Sequence, residues 1–447
     1  MTIIDNGGRS GPAPVVTAKP RLLAAYPGHS CRRDMTLAAH LAGLVPCLLQ
    51  HFDVTLAFRR VPEPLDLPVT QLAIVDGEAG AGQSPFFTPS DFRSVHDCLA
   101  ELDSFAVACR DRFDFVLERP WRLDGALVAA FARQGVHGIP VLEAEFHLGR
   151  ASPRRFPRTL RQRLLWPLLR RYLVRAKRRW LQDAHCVAVE TRQMHDWLVQ
   201  RGYLSPEAPW ALAPAAYDAS LFRPGERNAA RDALKLNRDR LLITYVGSMN
   251  CLIHDPVPLI RALADSRGPR PLLCMVGEGA KRHELEAMAR GLGVETRFTG
   301  RLDRAAATRY IAAADVCAAP YDLDFYPDRV FTSGSLKVPE YLACGRPVLA
   351  TDCGRMRDLL ADGRYGILVD NRVEAYQRVL RRPGLREELA AAEGRLQADI
   401  ASGRIREDGV LQDFAAVAAA IRRICPMPRQ GSRGPGSAGR VADDDSQ

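Results

Sequence analysis

The sequence predicts an α/β protein built from two doubly wound domains that face a central cleft. Three observations carry this. Short, almost continuously apolar runs alternate with helical patterns, and the alternation occurs twice along the chain. Such runs imply parallel strands covered by helices on both faces. A Pro- and turn-rich stretch separates the two series, and 447 residues are too many for one comfortable core.

In chain order, residues 1–18 are Gly- and Pro-rich and read as a disordered tail. The first domain is expected over 19–213. Its strand candidates are RLLAAYP (21–27), DVTLAF (53–58), FDFVLERP (113–120), IPVLEAEF (139–146) and CVAVE (186–190). Helical patterns near 34–50, 94–112, 122–134 and 159–182 lie between them. ALAPAAYDASLFRPGERN (211–228) reads as connecting chain, with a linker expected over 214–240. The second domain, 241–405, offers LLITYVGS (241–248), PLLCMVGEG (271–279), ETRFTG (295–300), DVCAAPY (315–321), PVLATD (347–352) and GILVD (366–370). Within 406–426 the amphipathic pattern LQDFAAVAAAIRRI predicts a last helix packing back on the first domain. Residues 427–447 form a second low-complexity tail.

Composition sets bounds. Hydrophobic content of 47% and charged content of 26% are ordinary for a globular chain. No run of 18 apolar residues and no secretory leader pattern is seen, so a cytoplasmic protein is expected. The eleven cysteines form no CxxC pairs, and several, such as Cys186, Cys274 and Cys317, sit in apolar runs. They read as reduced core thiols rather than disulfides or metal ligands. The net charge of +10 points to an anionic partner, or else reflects the arginine and alanine usage of a GC-rich genome. No aromatic platform or zinc pattern supports nucleic-acid binding.

The most informative stretch is SLKVPEYLACGRPVLATD (335–352), a polar cap, a short helix, a glycine and a buried strand. Ser335 reads as N-cap after Thr332, Ser333 and Gly334. The N–H groups of Leu336 and Lys337 would then face an anion, with Glu340 one turn on. An ordinary strand–helix unit explains the same pattern. VGEG (276–279) follows a strand and opens a helix, so Gly277 and Glu278 are donor-site candidates; a tight turn explains the glycines equally well. FTGR (298–301) supplies a third strand-end glycine, followed by Arg301.

Together, VGSMN, MVGEGAKRHELEAMARGLGVETRFTGRLDRAAATRYIAAADVCAAPY, and SLKVPEYLACGRPVLATDCGRMRDLL with GRYGILVD resemble the donor half of retaining glycosyltransferases of the GT-B fold, family 4 type (glycosyl transferases group 1). The resemblance covers about 241–370 and is weaker in the first domain. It implies two Rossmann-like domains and a nucleoside diphosphate sugar, GDP- or UDP-linked, held by the second. Glu340 matches the second glutamate of the family's E-x7-E motif and would bond the ribose hydroxyls. Gly247, Ser248, His254, Gly277, Glu278, Arg301, Thr332, Ser333, Gly334, Ser335, Leu336 and Lys337 complete the expected donor site. The departures are specific. Thr332 stands where the first glutamate of the motif belongs. Ser248 and His254 (or Ile253) stand where the family carries an arginine and a lysine. Lys337, Arg301 or Arg329 are the substitute cations.

On the first-domain side, Pro27, Gly28 and His29, in PGHSCRRD, take the place of the family's acceptor loop. Arg119 and Glu143 join them as acceptor-side candidates. His147 and Glu145, with Lys337, are the catalytic candidates; a packed histidine and a structural ion pair are the bland alternatives. DLD (322–324) has the shape of a metal-binding pair but reads as surface, and no metal or other cofactor is expected. Residues 154–182 form a basic, leucine-rich segment that either packs on the core or contacts a membrane surface. The expectation is a retaining, metal-independent transferase with a small-molecule acceptor, in antibiotic or other specialised metabolism. Alternatives are a lipid or polysaccharide acceptor at a membrane surface, a sugar-nucleotide epimerase using Glu143, Glu145 and His147, and an inactive nucleotide-sugar-binding partner.

Overall fold

A computed structural model describes residues 19–31, 36–75, 91–142, 160–213, 216–250, 253–265, 270–325, 335–407 and 411–425. Parallel strands form two sheets. The first contains β1 (Arg21–Ser30), β2 (Asp53–Arg60), β3 (Thr70–Ala73), β4 (Phe115–Glu118), β5 (His137–Leu142), β6 (Val187–Val189) and β7 (Trp210–Leu212), in the order β3-β2-β1-β4-β5-β6-β7. The second contains β8 (Leu242–Val246), β9 (Leu272–Val276), β10 (Thr296–Gly300), β11 (Val316–Ala319), β12 (Val348–Thr351) and β13 (Gly366–Val369), in the order β10-β9-β8-β11-β12-β13. The strand order reverses between β1 and β4 and again between β8 and β11. In open parallel sheets those reversals open crevices at the carboxyl ends of the strands.

Period-two alternation splits each sheet between two cores. In β1, Leu22, Ala24 and Tyr26 pack with the helix Thr36–Leu49, whereas Leu23 and Ala25 pack with the helix Phe92–Cys109. In β11, Cys317 and Ala319 face one layer, Val316 and Ala318 the other. The eleven strands expected from apolar runs are present. β3 and β7, the outermost strands of the first sheet, were not expected: they are short and only partly buried, so they lack the apolar run that marks inner strands.

The expected linker is shorter than 214–240. The helix Arg227–Ala233 belongs to the second domain, where Ala230 and Leu234 pack against Leu236, Leu242, Cys274 and Ala313. Its Arg231 is buried and donates to Asp315 at 2.7 Å. Two strands of chain cross between the domains side by side: Tyr217 pairs with Asp413 in parallel, its N–H donating to the Gln412 carbonyl at 3.2 Å.

The helix Phe414–Ile424 then enters the first core. Asp413 caps it by accepting from the Ala416 N–H at 3.0 Å. Phe414, Val417, Ala418 and Ile421 pack with Leu41, Leu44, Val45 and Leu48. A Cβ on Gly43 would stand 2.4 Å from the Phe414 ring, so the glycine permits this approach. Phe414→Ala is expected to destabilise the protein by about 3–5 kcal/mol, as other core Phe truncations do. Denaturant unfolding measures this, and a loss below about 1 kcal/mol would mean that the helix contributes little to the first core.

Candidate functional site

The crevice between β8 and β11 is lined by aromatic side chains around one buried ammonium. Tyr245 is the penultimate residue of β8 and Tyr321 follows β11. Lys337 opens the helix Lys337–Ala343 and is only 8% exposed. Its Nζ lies 4.2 Å from the Tyr245 ring centroid and 6.0 Å from that of Tyr321. A Cβ on Gly247 would stand 2.9 Å from it, so the glycine leaves room for the ammonium. Lys337 Nζ has no hydrogen-bond acceptor among the described residues. Burial pulls its pKa down to about 7, with the Glu340 charge opposing. Facing two rings offsets about 2 kcal/mol, less than the several kcal/mol that desolvating an ammonium costs. The site is therefore short of negative charge.

Glu340 lies one turn further along the helix and accepts from Arg304 Nη2 at 2.9 Å. Burial raises its carboxyl to about 7; Arg304 and Lys337 oppose the rise, and Asp218 adds to it. Arg304 also stands over the Phe222 ring at 5.0 Å. The helix starts one residue later than expected, so Leu336 is the cap position and is exposed. Ser335 still acts as a cap, accepting from the Val338 N–H at 3.4 Å and bonding the Tyr321 hydroxyl. Its φ of +52° is a left-handed conformation that a β-branched residue would resist.

Of the two readings of the strand-end glycines, the structure shows the close packing of turns. A Cβ on Gly277 would stand 2.0 Å from the Gly247 carbonyl oxygen, and one on Gly279 2.5 Å from the Met249 carbonyl carbon. The turns after β8, β9 and β10 are zipped by backbone bonds: Gly247 to Val276 at 2.9 Å, Met249 to Glu278 at 3.0 Å, and Gly277 to Gly300 at 3.0 Å. The close approach is chain to chain. Glu278 pairs with Arg282 at 2.9 Å. Ser248 is exposed, and its carbonyl accepts from the Tyr245 hydroxyl at 2.7 Å.

His254, at the place of the family's lysine, brings no charge. It is half-buried with its ring 5.0 Å from that of Tyr321, and desolvation and the Lys337 charge both hold it well below the usual histidine range, hence neutral. Arg301 is exposed, and Arg304 is the arginine that reaches Glu340. Thr332, Ser333, Gly334 and Arg329 lie outside the described residues.

On the first-domain side, Pro27 and Gly28 are buried within β1 rather than in an open loop. A Cβ on Gly28 would meet Trp121 Cβ at 2.6 Å. His29 is half-buried, its ring 6.4 Å from that of Tyr26. Arg119 follows β4, its N–H donating to the Ala25 carbonyl at 2.8 Å. Glu143, Glu145 and His147 lie outside the described residues. The Asp322 carboxylate of DLD accepts from the Asp324 N–H at 2.9 Å, closing its own turn.

The structure adds residues that sequence reasoning missed. His40, on the helix Thr36–Leu49, is depressed to about 3 by burial, then by the charges of Arg119 and Arg304. That coupling spans both domains. Arg355 donates to the Glu190 carbonyl at 3.5 Å and Gln193 to Asp358 at 3.2 Å, also across the cleft. The available signal for Arg304 was its position: it begins the helix after β10, at a strand's carboxyl end.

This fold is that of GT-B glycosyltransferases. WaaG, a glycosyltransferase involved in lipopolysaccharide biosynthesis, superposes with a TM-score of 0.61 at 16% identity over 91% of this chain and 100% of its own. HepE of Anabaena, solved with UDP and glucose, gives 0.61 at 15% identity over 90% and 98%. Residues 240–382 match the family described as Glycosyl transferases group 1. The D-inositol 3-phosphate glycosyltransferase of Rhodococcus erythropolis is 34% identical over 221 residues, 46% of this chain and 48% of that protein. That of Geodermatophilus obscurus is 30% identical over 232 residues, 48% and 50%. The chain thus spans about half the length of the curated relatives it matches.

Arg304 opposes the rise in the Glu340 carboxyl, so Arg304→Gln is expected to move its titration midpoint upward from about 7. Carboxyl-carbon NMR of labelled glutamate would show the shift, with Glu340→Gln assigning the resonance. An unmoved midpoint would mean the pair is not formed in solution.

Proposed function

We propose that this protein is a retaining glycosyltransferase that moves a sugar from a nucleoside diphosphate sugar to a small-molecule acceptor. The observation that carries this is Lys337, a buried ammonium without an anionic hydrogen-bond partner among the described residues, set at the strand-order reversal of a group 1 domain. A diphosphate there supplies the missing negative charge. In transfer, the bond from the sugar's anomeric carbon to the diphosphate breaks, one to the acceptor hydroxyl oxygen forms, and the hydroxyl proton passes to the departing diphosphate. The departing diphosphate gains charge, which Lys337 is placed to stabilise. That role does not call for a metal. Glu340, held by Arg304, is set to accept from the ribose hydroxyls. HepE binds UDP and UDP-glucose, which favours a uridine donor here. The relatives' name, D-inositol 3-phosphate glycosyltransferase, favours a small phosphorylated polyol as acceptor. Arg60 and Arg119, at the carboxyl ends of β2 and β4, suit such an anion.

The test pairs two substitutions in a thermal-shift panel of UDP, GDP, ADP and dTDP, each with and without Mg²⁺. A nucleotide at 100 times its Kd stabilises by about 2.7 kcal/mol. One nucleotide is expected to stabilise wild type without metal, and neither Lys337→Met nor Glu340→Ala. Lys337→Met should itself raise the stability of the free protein. Its folded pKa of about 7 lies below the 10.5 of an ordinary lysine, so the charged form is what folding disfavours. The gain should therefore grow as pH falls from about 10.5 to about 7 and level off below. A stabilised variant that no longer binds separates loss of function from misfolding. Absence of any nucleotide shift in wild type would contradict the donor site itself.

A further inference from the structure

The helix Leu160–Gln182 has two faces. Leu169, Leu173, Lys177 and Trp180 are buried in the first domain. On the outer side Leu164, Leu168 and Tyr172 recur every fourth residue and are 71%, 59% and 42% exposed. Phe92 opens the neighbouring helix Phe92–Cys109, is 41% exposed, and sets its ring 5.8 Å from that of Tyr172. Half of the eight exposed large hydrophobic side chains among the described residues thus gather in one patch, whereas ordinary exposed apolar residues are scattered.

The surroundings of the patch are cationic. Arg170, Arg171, Arg175, Arg178 and Arg179 are all exposed, and the helix contains no acidic residue. The nearby Asp91 carboxylate is engaged by the Ser94 N–H at 2.8 Å. Apolar side chains flanked by arginines on a helix with no spanning hydropathy match the interface of an anionic bilayer. A second copy of the chain fits worse, because symmetric pairing would bring one arginine rim against the other.

We propose that this face docks on an anionic lipid surface, with Leu164, Leu168, Tyr172 and Phe92 entering the interface and the arginines lying at the headgroups. Crossover helices of a parallel sheet begin at the carboxyl end of the preceding strand, so Phe92 and Leu164 sit on the cleft side of the first domain. Docking there sets the cleft beside the membrane surface. The docking itself does not rest on the transferase reading.

Co-sedimentation with phosphatidylcholine vesicles, with and without phosphatidylglycerol, tests the proposal on the full chain. Wild type should pellet with the phosphatidylglycerol vesicles and be released by raised salt. Arg171→Gln with Arg175→Gln should weaken partitioning about fivefold per charge. Leu164→Glu with Leu168→Glu should abolish it. Both residues are exposed, so an unchanged thermal midpoint is expected to show the fold intact. Wild type remaining in the supernatant, or a double-glutamate variant that pellets like wild type, would overturn the proposal. So would a wild-type dimer, seen by sedimentation velocity, that the double-glutamate variant dissociates.

Discussion

The site is organised by an ammonium that the fold buries without an anion to meet it. Several other deeply buried charges among the described residues are matched. Lys177 donates to Asp124 at 2.7 Å, and Arg231 to Asp315 at 2.7 Å. Asp315 also accepts from the Leu242 N–H at 2.7 Å and from Arg227 at 2.6 Å. Arg346 pairs with Glu393. Glu118, which burial raises to about 8, has no counter-ion and is met by neutral donors instead: the Trp121 indole at 2.6 Å and the Gly125 and Val128 N–H groups, both at 2.9 Å. Against this pattern Lys337, on two tyrosine faces, is a strained exception. The free protein meets this cost by a lowered lysine pKa, and an anion entering the crevice restores the charged form.

The matched charges explain how the exception is held in place. Asp315, at the start of β11, ties that strand to the Arg227–Ala233 helix and to β8, the two sides of the crevice. The glycine-to-glycine zippering of the turns after β8, β9 and β10 fixes the floor beneath Lys337. Across the cleft, the paired connections at Tyr217 and Asp413 and the returning helix Phe414–Ile424 hold the first sheet against this rigid half. His40, Arg119 and Arg304 then share one electrostatic neighbourhood although they come from different domains.

Most of the fold was legible because inner parallel strands, buried on both faces, are written as continuous apolar runs such as LLITYV and PVLAT. β3 and β7 escaped because edge strands have no such run. In the site, Lys337 and Glu340 were legible from SLKVPEYLACG, where a charged pair precedes a buried strand. Arg304 was not, since an arginine after a helix cap reads as solvated until the sheet order brings it to Glu340. Tyr245 and Tyr321 read as core aromatics, and only the lysine between them gives their rings a second role. Gly277 and Gly279 were visible, but sequence does not tell a backbone approaching a ligand from one approaching another backbone.

The central claim is that Lys337 awaits an anion, and proton counting tests it most directly. At pH 8 a lysine with a pKa near 7 is mostly neutral, while Glu340, also near 7, is mostly ionised. A diphosphate beside Lys337 restores its charged form, so binding should take up a proton from the buffer. Calorimetric titration of the stabilising nucleoside diphosphate at pH 8, in two buffers of different ionisation enthalpy, reads this number. The account requires uptake approaching one proton in wild type and none attributable to this site in Lys337→Met if residual binding is measurable. Binding with the same heat in both buffers would contradict it.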